Sequence, residues 1–176
     1  MDANDHITDE ALAITTDSGG EDTREFLTFM MAGEEYGLDI LRVQEIRGWD
    51  IVTPIPNTPS YIRGVINLRG SIVPIVDLRA RFLLDGIEYD NTTVVIVLKV
   101  ESENGERIMG IVVDAVSDVY NVNISDVKPP PDFGGVVSIE YVDGLVTVKE
   151  SMVIILDIDK MLTTEELTGP ATAVAA

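Results

Sequence analysis

Short runs of apolar and β-branched residues, separated by turn-forming residues, are the main pattern along this chain. Runs of this length, bounded by glycine, proline, asparagine or aspartate, predict β-strands. They lie at 26–30, 35–38, 41–46, 65–69, 72–78, 94–100, 108–116, 138–142, 145–149 and 152–158. Helical signals are few, and strands do not alternate with helices as they do in a parallel α/β fold. The pattern therefore predicts an all-β fold made of small barrels or a sandwich.

Turn and capping signals add detail to this prediction. Asn104-Gly105 is a strong tight-turn signal and predicts a hairpin between the two strand runs that flank it. Asp143-Gly144 predicts a second hairpin in the same way. Near the C-terminus, Asp157 or Asp159 is a candidate cap for one short helix.

The two ends of the chain differ in composition from the part between them. Residues 1–23 are polar and acidic, so we expect a disordered acidic tail there. Residues 168–176 are small and uncharged, and we expect a flexible tail. Residues 24–167 are then the ordered domain, which has room for one compact unit or two small lobes that share a core.

The net charge narrows the range of partners. It is −19 over 176 residues, and a surface of that sign repels phosphate backbones and anionic membranes. No apolar stretch approaches the roughly 18 residues of a transmembrane helix. The first residues, MDANDHITDE, are acidic where a signal peptide is basic. We therefore expect a cytoplasmic protein that binds no nucleic acid and does not insert into a membrane.

One stretch of the chain reverses this charge. Between residues 42 and 81, six arginines face only three acidic residues, Glu45, Asp50 and Asp77. A basic stretch on an acidic chain suggests an acidic partner at that place. The alternative is that each arginine pairs with an acid of the chain itself. The arginines are Arg42, Arg47, Arg63, Arg69, Arg79 and Arg81.

Of the residue types that carry catalytic or metal chemistry, cysteine is absent and histidine is nearly so. The chain has no cysteine, and its one histidine, His6, lies in the acidic tail. This excludes thiol chemistry, zinc–thiolate sites and a histidine base in the ordered domain. No glycine-rich nucleotide-binding loop is present. We expect no catalytic residue, cofactor or metal, although a hydrolase with paired carboxylates stays formally possible at Asp77, Asp114, Asp118 and Asp157.

The segment RGVINLRG at 63–70 is the most informative in the chain. Side chains of a strand alternate between its faces, so Ile66 and Leu68 would point to the core. Val65, Asn67 and Arg69 would then point outward. A row of an apolar group, an amide and a guanidinium suits a docking strip for an acidic helix or loop. The alternative is that the Asn and Arg brace the neighbouring turns.

A second strip has a similar pattern. Val43, Glu45 and Arg47 share one face of a predicted strand, and the residues between them share the other. This strip can belong to the same docking groove, or it can be a salt-bridged surface strand.

The sequence predicts a stiff loop that presents an aromatic residue. The three prolines of the segment KPPPDFGG at 128–135 favour an extended backbone, and Phe133 follows Asp132 within it. Aromatic residues presented in this way often anchor protein interfaces. The alternative is that Phe133 folds back onto a lobe.

Four blocks of the sequence together resemble a known family. They are EEYGLDILRVQEIRG, NTPSYIRGVINLRGSIVPIVDLR, GIVVDAVSDV and SMVIILDIDKML. In order and spacing they resemble the CheW-like bacterial chemotaxis coupling (adaptor) proteins. The resemblance implies an all-β fold of two small five-stranded SH3-like β-barrel lobes packed together, with a short C-terminal helix.

The resemblance also implies a function. It is that of a non-catalytic scaffold that couples chemoreceptors to the histidine kinase CheA at membrane receptor arrays. The implied partners are the CheA regulatory domain, the cytoplasmic tips of methyl-accepting chemoreceptors and other copies of the chain in rings. An adaptor of the same fold in a non-flagellar chemosensory pathway is the alternative. The resemblance places the receptor contact at Val43, Glu45, Asn67 and Arg69, and the kinase or ring contact at Asp132 and Phe133.

Overall fold

The structure is a computed structural model that describes residues 22–50, 52–84, 86–103, 105–131 and 139–162. Its strands form two five-stranded sheets, each of which makes one lobe. Lobe 1 contains β1 (Thr23–Met31), β2 (Glu34–Asp39), β8 (Ala115–Asn123), β9 (Val142–Val148) and β10 (Ser151–Leu156). Lobe 2 contains β3 (Val43–Gly48), β4 (Ile62–Leu68), β5 (Ser71–Asp77), β6 (Val94–Ser102) and β7 (Gly105–Val113). Two short helices follow strands: α1 (Leu78–Arg81) and α2 (Ile158–Leu162).

The chain begins in lobe 1, builds all of lobe 2 and returns to complete lobe 1. The strand order is β8-β1-β2-β10-β9 in lobe 1 and β3-β6-β7-β5-β4 in lobe 2. These orders are equivalent. In each sheet a hairpin (β1–β2 or β6–β7) pairs on one side with an edge strand (β8 or β3) and on the other side with a parallel strand (β10 or β5). The parallel pairs are β2 with β10 and β5 with β7. The lobes are therefore two versions of one arrangement, and the all-β, two-lobe prediction is confirmed.

One apolar core joins the lobes. Leu27 and Phe29 of lobe 1 lie in the same buried cluster as Ile96, Leu98 and Ile111 of lobe 2. Full burial of a side chain of this size stabilises the fold by roughly 1.5–3 kcal/mol. Each lobe also has a smaller cluster of its own. The relative position of the lobes is thus set by shared packing.

The hairpin predicted around residue 104 is confirmed. Strands β6 and β7 pair antiparallel from Val94 with Val113 to Ser102 with Gly105. Residue 104 itself lies outside the described residues.

The hairpin predicted at Asp143-Gly144 is wrong. Both residues lie inside β9, and the strand turns later, at Lys149-Glu150, where both residues have positive φ. Gly144 serves close packing: a Cβ there would stand 2.4 Å from a methyl carbon of Val127. The glycine was mistaken for a turn signal because its packing partner is distant in the sequence.

Both short helices begin at an aspartate. At α2 the Asp157 carboxylate accepts a hydrogen bond from the Lys160 N–H at 3.1 Å, which confirms one of the two predicted caps. Helix α1 was not predicted, and there Asp77 accepts from the Arg79 N–H at 3.0 Å. Neither helix in the described part of the chain is long and apolar enough to cross a bilayer.

A buried arginine connects the lobes. Arg79 is 2% exposed and donates to Asp77, and its Nη1 donates to Asp114 at 2.9 Å. The other oxygen of Asp114 accepts from the Ala32 N–H of lobe 1 at 2.9 Å. Burial alone lowers the pKa of Arg79, but the hydrogen bonds to both carboxylates outweigh it and raise that pKa. The side chain is therefore a charged link across the junction.

A second arginine ties helix α2 to lobe 2. Arg42 Nη1 donates to Asp159 at 3.0 Å, and the same carboxylate accepts from the Glu101 N–H at 2.9 Å. The hydrogen bonds to Asp159 are the main cause of a raised pKa for Arg42. Asp159 is thus an ion-pair partner and Asp157 the helix cap.

Candidate functional site

The predicted docking residues lie where the two edge strands of lobe 2 approach each other. The segment after β3 crosses to β4, and Thr53 and Val65 exchange backbone hydrogen bonds of 3.0 and 2.9 Å. Gly64 makes this approach possible, because a Cβ there would stand 2.1 Å from the Thr53 carbonyl oxygen. Its φ of 142° also lies outside the usual range of other residues. The sequence thus closes the lobe at this point.

Glu45 and Arg69 form an ion pair across this closure. Arg69 Nη1 and Nη2 donate to the two carboxylate oxygens of Glu45 at 3.2 and 3.4 Å. The Arg69 side chain is 74% exposed and the Glu45 side chain 26% exposed. One edge of the guanidinium is therefore held by the protein, while most of the Arg69 side chain is exposed and accessible to a partner.

Arg69 is not a strand residue, which corrects the sequence-based account of its direction. Strand β4 ends at Leu68, and Arg69 with Gly70 forms the turn to β5, with φ values of 50° and 89°. Two consecutive positive φ angles are typical of a tight type I′ hairpin turn. Arg69 is exposed because of this turn.

Asn67 braces the same turn. Its Oδ1 accepts a hydrogen bond from the Gly70 N–H at 2.8 Å. This is the bracing role that the sequence left as an alternative for Asn67. The amide nitrogen at the other end of the exposed side chain is the part that can bind a partner.

Strand β3 lies opposite the β4–β5 turn and forms the other wall of the candidate site. Val43, Glu45 and Arg47 are half-buried and the residues between them are exposed, which confirms the predicted alternation. A register shift separates Val43 from Glu45, and Val43 packs against the shared core. Of the four predicted receptor-binding residues, Glu45, Asn67 and Arg69 thus meet at the turn, and Val43 lies deeper.

A groove of about 200 Å³ lies beside these residues. Its lining contains both polar and apolar groups, including the predicted strip residues Arg47, Val65 and Asn67. Its lining is Arg47, Gly48, Asp50, Val52, Thr53, Val65, Ile66, Asn67 and Val95. The arrangement suits a partner that offers both an apolar surface and hydrogen-bond acceptors.

An aromatic pair under the groove was not predicted from the sequence. Trp49, between two groove residues, stacks on Tyr89 with ring centroids 4.3 Å apart. The Tyr89 hydroxyl donates to the buried Asp77, and burial followed by this hydrogen bond raises the pKa of Tyr89 to about 12. Trp49 is the only tryptophan of the chain, and this was the one feature of the sequence that could have drawn attention to the aromatic pair.

Several of the arginines in the basic stretch have acidic partners within the chain. Arg42, Arg69 and Arg79 each form an ion pair with an acid of the chain. For these three, the alternative of internal pairing therefore applies, although Arg69 stays largely exposed.

The carboxylates considered for a hydrolase have other roles. Asp77 and Asp114 both bind Arg79, and Asp157 caps α2. Asp118 Oδ1 accepts from the Val119 N–H at 2.8 Å. Among the described residues, no three acidic or histidine side chains come together in a way that could hold a metal ion.

The predicted kinase or ring contact cannot be compared with the structure. Asp132 and Phe133 lie outside the described residues. The chain leading to them is fixed at Lys128, which exchanges backbone hydrogen bonds of 2.7 and 2.8 Å with Leu145 of β9. The assignment of both residues stays a prediction.

Comparison with known proteins identifies the family of this chain. The family model for the CheW-like domain matches residues 25–166. The chain belongs to the CheW family. It is 50% identical over 157 residues to the chemotaxis protein CheW of Klebsiella aerogenes, covering 89% of this chain and 92% of that protein. It is 30% identical over 143 residues to Protein FrzA of Myxococcus xanthus, covering 80% of this chain and 86% of that protein.

A solved structure agrees. The scaffolding protein TtCheW from Thermoanaerobacter tengcongensis superposes with a TM-score of 0.73 at 30% identity, covering 82% of this chain and 91% of that one. The family is one of non-catalytic chemotaxis scaffolds, so membership supports an adaptor in chemotaxis signalling. The resemblance seen in the sequence is confirmed.

Proposed function

We propose that this CheW-family protein couples chemoreceptors to the histidine kinase CheA. The exposed guanidinium of Arg69, held beside the groove by Glu45, is the observation that carries the proposal. A fixed planar fork of donors suits the carboxylates and carbonyl groups of a receptor tip. The adaptor then works by bringing receptor and kinase together in the cytoplasm at membrane receptor arrays.

The site is suited to binding rather than to chemistry. In this proposal Asn67 offers its amide nitrogen and Arg69 its guanidinium, while the groove beside them receives apolar side chains of the tip. Val43 supports the wall from within, and Glu45 sets the direction of Arg69. Because Arg69 is positioned before binding, less conformational entropy is lost when the partner arrives.

A second surface would contact the kinase. We assign the contact with the CheA regulatory domain, or with neighbouring copies in a ring, to Asp132 and Phe133. The support is the family resemblance of the proline-stiffened loop in the sequence, since these residues lie outside the described part of the chain.

Reconstitution tests the coupling role. Receptor membranes, CheA and this protein are mixed, and phosphate transfer is followed with and without receptor ligand. The proposal requires that omission of this protein abolish receptor control of the kinase. Unchanged control in its absence would contradict the coupling role.

An adaptor of the same fold in another chemosensory pathway is the second candidate. The observation behind it is that the family includes a relative, Protein FrzA of Myxococcus xanthus, whose name is not that of a chemotaxis protein CheW. Affinity capture of the kinase from the source cell separates the two, because the candidates differ in the kinase that is bound.

A further inference from the structure

Tyr89 packs between residues from three parts of the chain, the segment after β3, strand β4 and helix α1, and the first two of these border the candidate docking groove. Its ring stacks on Trp49, at 4.3 Å between centroids. The guanidinium carbon of Arg63 lies 5.3 Å from the ring centroid, and that of Arg79 lies 4.9 Å from it. Its hydroxyl donates to Asp77, which is fully buried.

These contacts reach both walls of the groove. Trp49 lies between Gly48 and Asp50, which line the β3 side. Arg63 belongs to β4. It is followed by Gly64, which allows the close approach of Thr53, and by Val65, which lines the β4 side of the groove. A single half-buried ring thus contacts a neighbour of each wall, in addition to the Thr53–Val65 bridge and the Glu45–Arg69 ion pair that join the walls elsewhere.

The ring itself is firmly placed. Its hydroxyl binds an oxygen of Asp77 that also accepts from Arg79 Nη2 at 2.9 Å. The following residues are fixed as well, since Asp90 Oδ1 accepts from the Thr92 N–H at 2.9 Å. A side chain held by a buried ion pair can transmit that rigidity to the residues stacked on it.

We propose that Tyr89 is a positioning residue for receptor binding, which holds the β3 and β4 walls at the separation that a receptor tip requires. The inference rests on the proposed function. The contacts of Tyr89 described above are with Trp49, Arg63, Arg79 and Asp77, so it would act on the walls through Trp49 and Arg63. Its removal should therefore weaken binding while the Glu45–Arg69 pair remains in place.

The experiment compares Tyr89→Leu and Tyr89→Phe in the full-length chain. Each variant is titrated with a helical-hairpin fragment of a chemoreceptor tip, and Trp49 emission is recorded in the free protein. Tyr89→Leu should weaken binding about tenfold and shift Trp49 emission, because the stacked ring is lost. Tyr89→Phe keeps the ring and should fall between Tyr89→Leu and wild type.

Tyr120→Leu is the matched control. Tyr120 is also half-buried and packs against one cation, Lys149, 5.4 Å from its ring centroid, but it lies in lobe 1. It should lose stability in chemical denaturation without a change in Trp49 emission or in receptor affinity. Equal loss of affinity in both leucine variants would mean general destabilisation and would overturn the inference.

The remaining outcomes separate the inference from the function on which it rests. Wild-type affinity in a folded Tyr89→Leu variant would overturn the positioning role alone. If Tyr89→Leu does not fold, Tyr89→Phe decides, since unchanged Trp49 emission and unchanged affinity in that variant would overturn the positioning role. A wild-type protein that does not bind the receptor tip would overturn the proposed function, and the positioning role with it.

Discussion

Reversal of the charge at Arg69 is the sharpest test of the docking site. In Arg69→Glu, a carboxylate replaces the guanidinium that Glu45 now holds at 3.2 Å. The turn itself should survive, because the new residue is also a non-glycine residue at a φ of 50° and Gly70 still follows it. The change therefore acts on charge and hydrogen bonding.

The expected effect on stability is small. An exposed ion pair of this kind contributes about 0.2–1 kcal/mol, and the Arg69 side chain is 74% exposed. Two like charges about 4 Å apart in water repel by about 1 kcal/mol. Arg69→Glu should thus lose less than ~2 kcal/mol of unfolding free energy.

The expected effect on receptor binding is larger. If the tip covers Arg69, loss of the guanidinium leaves partner groups buried without a counter-charge, which costs about 2–5 kcal/mol. This corresponds to a fall in affinity of at least about thirtyfold. Arg69→Lys keeps the charge but not the planar fork, so its affinity should lie between wild type and Arg69→Glu.

The assay is titration of each variant against a receptor-tip fragment, with circular dichroism as the folding control. Lys149→Glu is a matched control that the fold itself supplies. Lys149 is the first residue of the β9–β10 turn in lobe 1, with a φ of 47°, and Arg69 is the first residue of the equivalent turn in lobe 2. It is exposed as well, and its reversal should leave receptor affinity unchanged.

Two results would refute the reasoning. One is a folded Arg69→Glu variant with wild-type affinity, which would reduce Arg69 to a brace of its own turn. The other is recovery of affinity in the double variant Glu45→Arg with Arg69→Glu. That variant restores an internal ion pair with reversed positions, so recovery would mean that only the internal pair matters.

Four further outcomes are expected. Gly64→Ala should lose roughly 2–4 kcal/mol of unfolding free energy and weaken receptor binding, because its Cβ meets the Thr53 carbonyl oxygen at 2.1 Å. Gly48→Ala, whose Cβ meets nothing within 4 Å, is the control for stability alone and should keep the unfolding free energy of the wild type. Arg79→Met should lose about 3–5 kcal/mol in chemical denaturation, since a buried Asp77 would keep no counter-charge. In a spectrophotometric titration the Tyr89 phenol should ionise with a pKa of about 12 rather than 10.0. Because the pKa is raised in the folded state, the contribution of Tyr89 to the free energy of unfolding is complete below pH 10.0 and is lost as the pH rises toward 12. Tyr89→Phe should remove this loss of stability at alkaline pH. Phe133→Ala should keep its melting temperature and weaken ring or kinase association by about 1–3 kcal/mol, which sedimentation with CheA would measure.

Local patterns predicted much of the fold, and their failures have a common cause. The turn signal at residue 105 is correct because its two strands are neighbours in the chain and the turn decides their pairing. The same signal at Asp143-Gly144 is misleading because that glycine serves contact with Val127, in a different segment. The true turn, Lys149-Glu150, has no glycine or asparagine to mark it.

The candidate site shows the same difference between local patterns, which could be predicted, and contacts between distant segments, which could not. The alternation that placed Glu45 and Arg47 on one face of β3 could be predicted, since it depends only on the period of a strand. The pairing of Glu45 with Arg69 could not, because it requires the two edge strands of lobe 2 to close on each other. Tyr89 was missed for the same reason, because its partners Trp49, Arg63 and Arg79 come from the segment after β3, from β4 and from α1.

By itself the sequence determined the all-β class, most strand positions, the family resemblance and the residue types offered to a partner. These follow from short-range rules, in which turn chemistry and the two-residue period of a strand act over a few neighbours. Only the tertiary structure decided that lobe 2 is inserted between two parts of lobe 1, and that Arg79 carries a buried charge across their junction. Such features depend on contacts between residues far apart in the chain, where burial and electrostatic pairing, rather than local propensity, set the free energy.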